Sequence, residues 1–155
     1  MTRKARIGPI SEGTLWSNDL IEAFLDELGD LDESAYERIR DEFGHTWNWT
    51  DDDFESENAY EMVNALIDAL NEQAPAFCYF GSTEGDGADF GFWPIDIQDI
   101  QRDSDVLTVS DLAEVPENPQ SGMYSTSYVL LVNDHGNCTL YSRENGELTE
   151  VWSIV

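Results

Sequence analysis

The stretch Glu61-Met62-Val63-Asn64-Ala65-Leu66-Ile67-Asp68-Ala69-Leu70-Asn71-Glu72-Gln73-Ala74-Pro75-Ala76-Phe77-Cys78-Tyr79-Phe80-Gly81 carries the change of period that decides the fold. Before Asn71, the residues Met62, Val63, Leu66, Ile67 and Leu70 recur at helical spacing and mark one apolar stripe. Pro75 has no backbone N–H and cannot continue a helix. From Ala76 to Phe80 the run is apolar and reads as a strand.

Toward the N-terminus the helical period persists. Leu20, Ile21, Phe24, Leu25 and Leu28 share a face, so a helix is expected from Ser17 or Asn18 to about Leu28, with Gly29 just past its end. A second helix is expected from Asp32 or Ser34 to Gly44, burying Ala35, Tyr36, Ile39 and Phe43. The aromatic connector His45-Thr46-Trp47-Asn48-Trp49 follows. Thr50 with Asp53 has the form of a capping box, so the third helix starts there or at Ser56 and runs to about Asn71.

Toward the C-terminus, turns and short strands alternate. Gly81 to Ala88 reads as a glycine-rich turn, Asp89 to Trp93 as the returning strand, and Pro94 to Gln101 as a short helix or turn. Val106 to Val109 is a short strand, and Ala113 to Gly122 a polar loop. Met123 to Val132, Cys138 to Ser142 and Leu148 to Val155 form a meander. Its turns are Asn133-Asp134-His135-Gly136 and Glu144-Asn145-Gly146-Glu147, the latter holding an Asn-Gly hairpin signal. Trp152 is assigned to the core. The expected architecture is α+β: about three N-terminal helices packed on one face of a C-terminal antiparallel sheet of about five or six strands. Residues 1–155 are read as one domain, with 1–12 flexible or at an edge, 13–73 helical and 76–155 forming the sheet.

Charge is the outlying property. The chain has 155 residues, with 33 acidic against 7 basic and a formal net charge of −26. Hydrophobic residues make up 41%, enough to fill a core, so the acidity does not imply a disordered chain. No apolar run is long enough for a membrane span, and the basic start Arg3-Lys4-Ala5-Arg6 has no apolar h-region behind it. A cytoplasmic protein is expected, with Cys78 and Cys138 as reduced core thiols. A body this acidic repels nucleic acid and anionic membranes, so its natural partner is a protein with a basic nucleic-acid-binding surface.

Tyr79-Phe80-Gly81 and Gly85-Asp86-Gly87-Ala88-Asp89-Phe90-Gly91-Phe92-Trp93-Pro94 resemble a block in small uncharacterised proteins of bacteriophages and their hosts. The same is true of Tyr128-Val129-Leu130-Leu131-Val132-Asn133-Asp134-His135-Gly136-Asn137, Thr139-Leu140-Tyr141 and Val151-Trp152-Ser153. The resemblance covers the sheet half only. It implies a phage or prophage setting and brings no defined activity.

The strongest candidate for a functional surface is the acid itself. Asp51, Asp52, Asp53, Glu55, Glu57 and Glu61 place six carboxylates within eleven residues. On one continuous helix that is roughly one charge per 2.5 Å of rise, against about one per 1.7 Å in duplex DNA. Asp26, Glu27, Asp30, Asp32, Glu33, Glu37, Asp41 and Glu42 extend the field over the first two helices, with only Arg38 and Arg40 to pair locally. The expectation is a non-enzymatic, phage-type inhibitor that mimics nucleic-acid charge and blocks a host defence protein, as an anti-CRISPR or anti-restriction factor. All fourteen of these acids are its candidate contact residues, and no catalytic residue, metal or cofactor is assigned. A salt-adapted protein of unrelated function is the alternative, consistent with Lys4 being the only lysine.

Other constellations read as structural. A calcium loop starting at Asp51 fails at Ser56, where glycine is needed, and at Met62, where a bidentate acid is needed. Glu84, Asp86 and Asp89 are alternative metal or acid–base candidates in a glycine-rich turn. His135 and Cys138 sit too close to a turn to align for proton transfer. Trp47, Trp49, Trp93 and Tyr141 are either an exposed sticky rim or core.

Overall fold

A computed structural model of the chain describes residues 3–115, 126–144 and 146–154. The fold is α+β, and its contacts divide it into two compact units, residues 1–94 and 95–155.

In the first unit the order is β1 (Gly8–Ser11), α1 (Ser17–Leu31), α2 (Glu33–Phe43), α3 (Asp51–Phe54), α4 (Glu57–Glu72), β2 (Cys78–Thr83) and β3 (Asp86–Pro94). The three strands form an antiparallel sheet in the order β1-β3-β2. The apolar stripes named above meet here. Ile21, Phe24 and Leu28 of α1 are fully buried, as are Met62, Leu66 and Leu70 of α4. Phe24 stands edge-on to Phe80 and Phe90, with ring centroids 5.1 and 5.5 Å apart. Phe80 and its cross-strand partner Phe92 lie 5.0 Å apart, so one ring from α1 seals against the sheet. Burying a phenylalanine of this kind is worth roughly 1.5–3 kcal/mol.

Several local expectations change. α1 continues through Gly29 to Leu31, because Gly29 is an approach point rather than a cap. A Cβ there would lie 3.4 Å from the Tyr36 ring of α2. The helix ends instead at Asp32, whose extended backbone closes α1 and whose side chain accepts from the Ala35 N–H to start α2. The third helical segment is two helices. Thr50 and Asp53 cap α3 reciprocally, as the capping box requires. The chain then breaks at Glu55, and Ser56 caps α4 by accepting from the Ala59 N–H.

The hairpin Cys78–Pro94 is also tighter than expected, with only Glu84 and Gly85 between paired strands. β1 lies in the stretch read as flexible or edge. It is an edge strand, and it crosses Gly91 so closely that a Cβ there would sit 2.1 Å from the Gly8 carbonyl oxygen.

The second unit contains α5 (Ile97–Arg102), β4 (Val106–Val109), β5 (Tyr128–Val132), β6 (Cys138–Glu144) and β7 (Glu147–Ile154). Its sheet runs β4-β5-β6-β7. The single antiparallel sheet expected for residues 76–155 is therefore two sheets. One pairing departs from the antiparallel pattern as well: β4 and β5 run parallel, with Val106 opposite Tyr128. Parallel strands need a long crossover, and residues 110–127 connect these two. Of the strand expected from Met123, residues 123–125 lie outside the described residues, as does most of the loop before it and Asn145 of the last hairpin. Glu144 pairs with Glu147, and Gly146 has φ of +82°. Ile100, Val129, Leu130 and Leu140 are fully buried, and Trp152, opposite Leu140, is in the core as expected. No helix among the described residues is long and apolar enough to cross a membrane.

Candidate acidic interaction face

The acids of the first unit fall into two groups, those with a structural task and those facing solvent. Glu27 belongs to the first group. It is buried in α1, and Arg3 Nη2 donates to both of its carboxylate oxygens at 2.7 Å. Asp30 lies 3.7 Å from the same guanidinium. Asp32 caps α2 and accepts from Gln73 at 3.3 Å. Asp53 accepts from the Thr50 N–H at 2.8 Å. These four acids act within the fold before they can act outside it.

The second group is Asp26, Glu33, Glu37, Asp41, Glu42, Asp51, Asp52, Glu55, Glu57 and Glu61, all exposed. Glu33, Glu37 and Asp41 repeat at i, i+4 along α2, opposite the buried Ala35 and Ile39. Like charges at that spacing cost a few tenths of a kcal/mol each. Asp41 and Glu42 lie in the last turn of α2, where the helix dipole is negative and a carboxylate is unfavourable. Among the described residues, neither Arg38 nor Arg40 forms an ion pair with any of these acids. Arg40 instead lies 5.1 Å over the Tyr36 ring, hydrogen-bonds the Tyr36 hydroxyl at 2.9 Å and touches His45 Nδ1.

The field is concentrated. Residues 17–72 hold 18 acids against two arginines, a net −16, which leaves −10 for the other 99 residues. The break at Glu55 does change the local geometry. Asp51, Asp52 and Asp53 sit on α3, whereas Glu57 and Glu61 sit on α4, so the charge spacing of one continuous helix does not apply.

The other candidates take structural parts. The Asp51 segment is helical, and Asp53 is held by its cap, so the calcium-loop reading finds no loop. Asp86 accepts from the Ala88 N–H at 2.9 Å, and Asp89 keeps a buried Oδ1 without a hydrogen-bond partner. Among the described residues no three His, Cys, Asp or Glu side chains converge to hold a metal ion. Asn133 closes the His135 turn by accepting from the His135 and Asn137 N–H groups, both at 2.9 Å. Cys78 and Cys138 are free. Burial pushes both thiols up, Cys78 to about 12, which keeps them protonated and poorly nucleophilic at neutral pH.

Of the four aromatics weighed as a rim, only Trp47 is exposed, at 81%. Trp49 packs on Phe54 with centroids 5.2 Å apart, and Trp93 donates to the Gly81 carbonyl at 3.0 Å. Sequence reasoning missed Trp16, which is 73% exposed. Its position just ahead of the first apolar helical stripe was the available signal. Comparison with family models, curated proteins and solved structures finds no match.

Proposed function

We propose that this chain is a non-catalytic inhibitor that lays the carboxylates of α2, α3 and α4 onto the basic nucleic-acid-binding surface of another protein, displacing DNA or RNA. The observation that carries this reading is the net −16 of residues 17–72, most of it on solvent-facing carboxylates to which, among the described residues, neither Arg38 nor Arg40 forms an ion pair. Such a field costs stability through self-repulsion and gains nothing for the core. Lysine and arginine side chains placed to receive phosphates would receive these carboxylates instead. The resemblance of the sheet segments to phage proteins makes a host defence nuclease, a CRISPR effector or a restriction enzyme, the natural target. The test is displacement of labelled DNA from such nucleases, with the exposed acids of α3 and α4 neutralised as the control.

Adaptation to salt is the second reading, favoured by the single lysine. A thermal melt followed by far-UV circular dichroism separates the two. A cooperative fold in dilute buffer supports the inhibitor, and a chain that folds only in molar potassium chloride supports salt adaptation.

A further inference from the structure

We propose that the cleft bordered by the first half of α1, the Thr46–Asn48 turn and α3 grips a basic amphipathic segment of the partner protein, taking an apolar side chain and an adjoining arginine or lysine together. This inference rests on the reading that the partner is a basic protein, and adds where that protein is held and by what chemistry.

Two adjoining concavities of about 470 and 490 Å³ share Asn18 and Phe54. Phe54 borders both, and the buried Ile21 and Leu25 lie beneath the floor of the first. Their rims carry three large apolar side chains left in solvent: Leu15 at 64%, Trp16 at 73% and Trp47 at 81% exposure. Single exposed apolar residues are ordinary, but two tryptophans and a leucine around two adjoining concavities form a patch of the kind that anchors interfaces. The Trp16 backbone carbonyl accepts from the Leu20 N–H to open α1, but its indole stands in solvent. Trp16 occupies the position before α1 where a polar side chain would cap the helix, and its side chain makes no capping hydrogen bond.

The charge decides the occupant. Glu22 and Asp26 line one concavity, and Asp51 and Glu55 line the other. Nucleic acid is repelled by these groups, and so is a second copy of a chain with a net charge of −26. A neutral apolar segment would cover the carboxylates and leave them without partners. A polypeptide presenting an apolar side chain flanked by arginine or lysine satisfies both the rings and the acids. The corner of the cleft already shows the chemistry, since Arg40 lies over the Tyr36 ring there. Tryptophan faces hold cations in the same way, and more strongly.

The experiment titrates the full chain with two synthetic peptides while following tryptophan fluorescence and heat. One is a short helical peptide of leucine and arginine on opposite faces, and the other is hexa-arginine. The variants are Trp16→Ser with Trp47→Ser and, separately, Glu22→Gln with Asp51→Asn, all at exposed positions and checked for a native circular dichroism spectrum. The wild type should bind the amphipathic peptide more tightly than hexa-arginine, and the double tryptophan variant should lose about tenfold in affinity for the amphipathic peptide alone. The Glu22/Asp51 variant should weaken both. Unchanged amphipathic binding by the tryptophan variant overturns the groove while leaving the charge-mimic reading intact. No binding of either peptide by the wild type overturns both.

Discussion

Arg3 Nη2 donates to both carboxylate oxygens of Glu27 at 2.7 Å, joining the N-terminal segment to the C-terminal half of α1 across 24 residues of sequence. Glu27 is the buried acid among the fourteen candidate contact residues, and it has a cation. Among the described residues, the ten solvent-facing acids without a task in the fold have none of their own. A carboxylate that must leave water needs its counter-charge within the fold, whereas one that stays in water is free to meet a cation elsewhere.

Removing either partner of that pair should destabilise the first unit. Arg3 remains partly exposed and can be solvated alone, so Glu27→Gln should cost about 1–3 kcal/mol, below the figure for a fully buried pair. Arg3→Gln should cost more, because it leaves the nearly buried carboxylate unpaired. Urea midpoints measured at constant slope check both, and wild-type midpoints would refute the pairing.

Asp41 and Glu42 should behave in the opposite sense. Both are exposed at the negative end of α2. Asp41→Asn with Glu42→Gln should raise stability by about 0.3–1 kcal/mol in low salt, with the gain shrinking as salt is added. A thermal melt at two ionic strengths reads this directly. If the substitutions also weaken target binding, stability has been traded for the surface field.

Cys78 gives a pH dependence whose sign is fixed. Its folded pKa is raised by burial from 9.0 to about 12, so the folded state holds the proton more tightly than the unfolded state. The stability it contributes is whole below pH 9 and is lost as pH rises toward 12. The unfolding midpoint should fall across that window in the wild type and fall less in Cys78→Ala. An Ellman's reagent assay at neutral pH should find the thiol slow until the chain unfolds.

Signals carried by neighbours in sequence are legible in this chain, and pairings between distant segments are not. The Thr50–Asp53 capping box, the cap at Ser56, the stop at Gly44, the apolar stripes of α1 and α4, and the core position of Trp152 all stand, because each depends on residues within a few positions. β1 was missed because four residues containing Pro9 show no period, and only Gly91, some eighty residues on, makes room for them. Gly29 was misread for a related reason: the ring that needs its missing Cβ belongs to the next helix. The parallel pairing of β4 with β5 and the separation into two sheets depend on long connections that no local pattern reports. At the site, the acidic field was legible from composition. The task of Glu27, the break between α3 and α4, and the exposure of Trp16 depend on how distant segments pack, which composition does not report.

The most direct test of charge mimicry is fluorescence anisotropy of a labelled DNA duplex bound to a defence nuclease, titrated with the full chain at low and at physiological salt. The control neutralises Asp51, Asp52, Glu55, Glu57 and Glu61 while keeping Asp53, which the fold needs for its cap. Mimicry predicts that the wild type displaces the duplex, that displacement weakens steeply as salt rises, and that the neutralised chain fails at either salt. Displacement that survives neutralisation of those five acids would contradict it.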